Sequence, residues 1–115
     1  MESNVVTLVR LALDAASLRH QAIANNIANA SSSLYAPLKV NFEEQLGFAR
    51  SGLGAAGVPN HVKPFIEPEG GPVTGVRLDM EMVKLAQNTV HYQSLLRALD
   101  KRGSILSAAI SEGRR

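Results

Sequence analysis

Apolar residues recur near the start of the chain at alternating steps of three and four: Val6, Val9, Leu13, Ala16, His20, Ile23, Ile27 and Ala30, with only His20 breaking the set. That spacing predicts a helix from about Asn4 to Asn29. Beside it runs a second row, Leu8, Leu11, Ala15, Leu18 and Ala22. Two adjacent rows make a stripe wider than a two-stranded coiled coil requires, so this helix is expected to touch more than one neighbour.

The same period returns at the other end. Leu85, Thr89, Tyr92, Leu96, Leu99, Gly103, Leu106 and Ile110 step by four and three along one seam, which predicts a second long helix from about Met80 to Ile110. Asp79 is the expected N-cap, and Glu81 follows in the first turn, where a negative charge suits the helix dipole. Gly103 lowers helix propensity by roughly 1 kcal/mol relative to alanine, and marks either a close helix approach or a weak point.

Between these segments the pattern dissolves. Asn41 and Glu44 have capping-box spacing, so NFEEQLGFAR is expected to form a short helix stopping near Gly52. The following stretch is rich in glycine and proline and reads as loop, with extended pieces at Val62 to Ile66 and Pro72 to Val76 joined by a Glu-Gly-Gly turn. The expected fold is therefore mainly α. Two long terminal helices (1–31 and 78–115) pair as an antiparallel, coiled-coil-like unit, and 32–77 supplies a short helix with an irregular loop or small β-hairpin.

Composition sharpens this picture. The chain has 115 residues, no Trp and only 4% aromatic residues, so its apolar fraction is mostly Ala, Val, Leu and Ile, which suits helix-on-helix packing. A net charge of +2 is too mild to imply nucleic acid. With no cysteine, disulfides, thiolate metal sites and cysteine nucleophiles are excluded. Arg10, Asp14 and Arg19 interrupt the first apolar segment too early for a secretory signal or a membrane span, so neither is expected.

No catalytic pattern emerges. His20, His61 and His91 lie far apart without metal-ligand spacing, so neither metal nor cofactor is expected. Ser31, Ser32 and Ser33 lack a nucleophile elbow and read as a turn. Glu43 and Glu44, adjacent on a helix, diverge by about 100 degrees and cannot act as a paired acid and base.

One stretch is more specific. ANNIANASSSLY, residues 24–35, runs from a helix into a loop through residues that compete with helical hydrogen bonds. It resembles the Ala-Asn-Asn-Ile-Ala-Asn-Ala-(Asn or Asp)-Thr-Pro-Gly-Tyr signature of bacterial flagellar axial proteins, the rod, hook and hook-associated subunits. Ala24, Asn25, Asn26, Ile27, Ala28, Asn29 and Ala30 match it, as does Tyr35, while Ser33 and Leu34 stand where the family has Pro-Gly. VNFEEQLGFAR and the segment from Val76 to Arg114 are similar to proximal rod proteins of the FlgB type, with Asp79, Glu81, Met82, Ala86, Tyr92 and Ala109 to Gly113 in matching places. The middle is shorter than that family leads one to expect and shows little resemblance.

The resemblance implies a structural subunit, not an enzyme. It implies passage through the flagellar type III export channel without a cleaved signal, then assembly in the periplasmic part of the basal body. Expected partners are other rod proteins, the membrane-ring adaptor, copies of this chain and the export apparatus, with no nucleic acid and no direct membrane insertion. The stripes supply the expected assembly interface: Val9, Leu13, Ala16, Ile23 and Ile27 on the first helix, Leu85, Tyr92, Leu96, Leu99 and Leu106 on the second. Without the signature, the same pattern would read as a small helical adaptor that binds one partner through an exposed stripe.

Overall fold

The computed structural model describes residues 2–47, 62–72 and 75–113, with side chains except at 2–4, 102–110, 112 and 113. Two long helices dominate it: α1, Glu2–Ala28, and the C-terminal helix, Leu78–Gly113. Between them lie a strand β1, Leu38–Asn41, a short helix α2 at 43–47 and a strand β2, Phe65–Pro68. Numbered in chain order, the C-terminal helix is α3. The molecule measures 65 × 31 × 15 Å, drawn out along its helices.

The two rows of α1 have different tasks. Ala15 and Ala22 pack with Val40, Phe42 and Val62 in the buried core, flanked by Leu11, Leu18, Leu38, Leu46 and Ile66. One row thus lies on the strands. Ala16 and Ile23, about 100 degrees round the helix, are buried on the side where Asn88 of α3 reaches the Ala16 carbonyl. A helix with two occupied faces is what the double row predicts.

The small sheet departs from expectation. β1 pairs antiparallel with β2, matching Leu38 with Pro68 and Val40 with Ile66, and Glu69 N–H extends the ladder to the Pro37 carbonyl at 2.9 Å. The expected hairpin between 62–66 and 72–76 is not formed: the described residues of its second arm, 72, 75 and 76, are not strand. Gly70, Gly71 and Gly75 all have positive φ, near +80°, and so turn the chain out of β2 towards α3 in place of extending it back.

Helix starts also shift. The Arg77 carbonyl accepts the first helical bond of α3 from Glu81 N–H at 3.0 Å, so Asp79 lies inside the first turn and is not the N-cap. There it accepts hydrogen bonds from Met80 N–H and the Arg77 guanidinium, which hold its carboxyl below the usual 3.8. Asn41 and Glu44 form no capping box. Phe42 supplies the first carbonyl of α2, and Gln45 reaches back to the Asn41 carbonyl at 3.2 Å while clasping Lys63 through its N–H and C=O. The expected end of this helix near Gly52 lies outside the described residues.

Candidate functional site

The stretch that ends α1 is held by a run of short-range hydrogen bonds. Asn25 accepts two bonds at its carbonyl, from Asn29 N–H at 3.2 Å and from the Asn29 side-chain amide at 2.8 Å. Bonds of three-residue span then follow, Ala30 to Ile27 and Ser32 to Asn29, tightening the chain out of the helix. Tyr35 N–H donates to the Ser32 carbonyl at 3.4 Å, closing a turn with Ser33 and Leu34 at its centre. Pro-Gly at those places is the composition of a type II turn, which needs positive φ at its second central residue. Among the described residues no non-glycine has positive φ, so Ser-Leu makes its turn with negative φ at both. Leu34 ends up almost fully exposed.

Asn26 is the centre of this arrangement. It is 1% exposed, and it treats Leu38 as one strand treats another: its amide donates to the Leu38 carbonyl at 3.0 Å and its Oδ1 accepts from Leu38 N–H at 2.8 Å. An amide side chain is the group that can offer a donor and an acceptor together in this way. The same amide nitrogen also donates to Glu81 Oε2 at 3.3 Å. One residue therefore joins α1, β1 and α3.

Glu81 is a carboxylate 3% exposed, a costly arrangement unless it is paired. Lys84 pairs it at 3.1 Å and also reaches Glu69, just beyond β2, at 3.3 Å. Partial burial works against the Lys84 charge, but the hydrogen bonds to Glu81 and Glu69 outweigh it and hold the ammonium above its usual 10.5. Two turns along the same line of α3, Asn88 is 5% exposed and donates to the Ala16 carbonyl at 2.8 Å. Its Oδ1 is buried and accepts no hydrogen bond among the described residues. α3 is thus fastened to α1 by polar latches, while the apolar seam lies beside them.

The expected interface residues separate accordingly. Ala16 and Ile23 are covered by the chain itself; Val9, Leu13, Ile27, Leu85 and Leu99 are half-buried; Tyr92 and Leu96 are exposed. The side chain of Leu106 lies outside the described residues. Within the signature Ala24, Asn25 and Ala28 are exposed, and Asn29, Ala30 and Tyr35 are half-buried. Sequence reasoning passed over Glu81 as a first-turn acid and did not single out Asn88 or Lys84. Their signal was a polar row at seven-residue spacing next to the seam.

The contacts of the site hold α1, β1 and α3 together. His20 and His91 are exposed, His61 lies outside the described residues, and among the described residues no three potential metal ligands cluster. No described helix is long and apolar enough to cross a membrane.

No protein-family model matches the sequence. The chain is 26% identical over 125 aligned residues to the flagellar basal body rod protein FlgB of Bacillus subtilis (strain 168), an alignment that covers 97% of each chain. It runs through the middle segment, where the residues alone carried little resemblance. An end-to-end likeness of this kind points to the flagellar rod proteins.

Proposed function

We propose that this chain is a structural subunit of the proximal rod of the flagellar basal body, of the FlgB type. The observation that carries the reading is that the signature asparagine, Asn26, is the buried junction of a helix pair whose neighbouring apolar seam is left open. The length-wide likeness to a rod protein supports it independently.

The mechanism is mechanical. The chain leaves the cell through the type III export apparatus and takes its place in the periplasmic part of the basal body. There its exposed α3 stripe, with the half-buried Val9, Leu13 and Ile27 on α1, packs against copies of itself, other rod proteins and the membrane-ring adaptor. Such contacts join different patches on successive subunits, so they propagate a helical stack instead of closing a dimer. Polar latches within each chain fix the angle between α1 and α3, and the apolar contacts between chains carry torque along the rod. No catalysis, cofactor, nucleic acid or membrane insertion enters this account.

Deleting the chain from its own cells tests the reading. The cells should lose swimming, and a tagged copy should restore it and sediment with detergent-extracted basal bodies. Cells that swim without it, or a tagged copy confined to the soluble fraction, would contradict the assignment.

A further inference from the structure

Asn26 completes β1 at a single residue. The ladder to β2 runs through Pro37, Lys39 and Asn41, because Glu69 N–H bonds the Pro37 carbonyl and the bonded pairs of an antiparallel ladder alternate. Leu38 and Val40 therefore turn their N–H and C=O groups to the other edge. At Leu38 the Asn26 amide meets both groups. At Val40 the corresponding place, one turn earlier on α1, belongs to Ala22, whose methyl packs with Val40 in the core and has no polar atom to offer. Among the described residues nothing does for Val40 what Asn26 does for Leu38. The far edge of the sheet is closed to pairing: Pro64 and Pro68 stand on either side of Ile66 there and have no N–H to give.

The open edge of β1 borders a cleft of about 360 Å³. Leu38, Lys39 and Val40 all line it, and three consecutive strand residues, whose side chains alternate between faces, share a wall only along their backbone edge. The opposite wall is one face of α3, with Glu81, Lys84 and His91 along it, and α1 contributes Ala22 and Ile23. The bonds of Asn26 to Glu81 and of Lys84 to Glu69 join the walls at one end. From Glu81 to His91 the α3 wall runs about 15 Å, the span of about four extended residues.

We propose that the outer edge of β1 is a strand-addition site for an extended segment of a partner protein with an apolar, acidic, apolar sequence. Laid along β1, that segment gives Val40 the hydrogen bonds that no side chain supplies and continues the pairing Asn26 begins. Leu38-Lys39-Val40 sets the order of its side chains: apolar residues beside Leu38 and Val40, and a carboxylate beside Lys39. Lys39 meets Glu44 at 3.5 Å and Glu67 at 3.8 Å, and its side chain is 38% exposed. Pairs so long and so exposed are weak, so the ammonium is available to a third carboxylate. The cleft lies on a different face of α3 from the open seam, and the proposal does not rest on the rod reading.

The test is a nuclear magnetic resonance titration of the full, isotope-labelled chain with two acetylated and amidated peptides at millimolar concentration, Thr-Val-Glu-Val-Thr and Thr-Val-Lys-Val-Thr. The glutamate peptide should shift the Val40 amide resonance, and the lysine peptide should bind roughly fivefold more weakly. Lys39→Gln should shrink that difference. Two further glutamate peptides, N-methylated on alternate amides, separate strand addition from adhesion to an apolar cleft: the isomer whose methyl groups point away from β1 should keep binding and the other should lose it. A Val40 amide that stays unmoved, peptides of opposite charge that bind alike, or methylated isomers that behave alike would overturn the proposal. None of these results depends on the chain being found in a rod, which is read separately by sedimentation with basal bodies.

Discussion

Asn26 shows how one side chain replaces a stretch of secondary structure. Its amide completes the hydrogen bonds of Leu38 on the side away from β2 and also caps a buried carboxylate. Removing it leaves the part-buried N–H and C=O of Leu38 without that partner and takes one hydrogen bond from Glu81, which keeps only Lys84. Asn26→Ala should cost about 2–3 kcal/mol, the range for exposing such a deficit, with Glu81 responsible for the upper end. Urea unfolding followed by circular dichroism measures this. Asn26→Asp should be no milder despite its near-identical shape, since it loses the donor and sets a second negative charge against Glu81. A variant at Asn26 as stable as the parent would remove the junction from the account.

At the scale of elements, α1 works as a spacer of small residues between two unlike partners. Ala15 and Ala22 let the strands approach, and Ala16 lets α3 approach closely enough for Asn88 to bond its carbonyl. Ala16 is 0% exposed, so Ala16→Leu must push the helices apart and break that bond. An overpacking cost of about 1–3 kcal/mol is expected, read from the shift of the urea midpoint, whereas the same change at exposed Ala24 should be nearly neutral.

These helices were legible because a period of 3.6 is a local signal, repeated along α1 and α3 until it outweighs noise. β1 was not. Its four residues hold too little alternation to stand out, and their partner lies beyond a helix and a long connection, so only the pairing itself identifies them. The expected hairpin failed for a related reason: glycines that suit a tight turn equally suit a chain leaving its strand for the next helix. Glu81 reads as an ordinary first-turn acid until the fold brings Asn26 and Lys84 to it. The seam on α3 was seen, but not that polar latches beside it would carry the contact within the chain and leave Leu96 outside.

As a whole molecule, the chain is thin and only partly covered. Leu78, Met82, Leu85, Thr89 and Leu96 follow helical steps on α3, and Leu78, Met82 and Leu96 are each 41–53% exposed. Val83, Val90 and Met80 add apolar surface on other faces of the same helix. A lone globular domain buries such rows; an exposed row of this length marks an interface. Under the proposed rod function the fold is completed in two stages, polar latches first joining α1 to α3 and apolar contacts then joining one molecule to another. Leu96 separates the stages, because it lies on the open seam and takes no part in the latches.

The most direct measurement is the amount of Leu96→Asp chain that co-purifies with basal bodies, set beside its unfolding midpoint in urea. The account predicts a soluble chain whose midpoint is close to the parent's and which is absent from the basal-body fraction. Incorporation of the variant at the parent's level would contradict the claim that neighbouring subunits cover this seam.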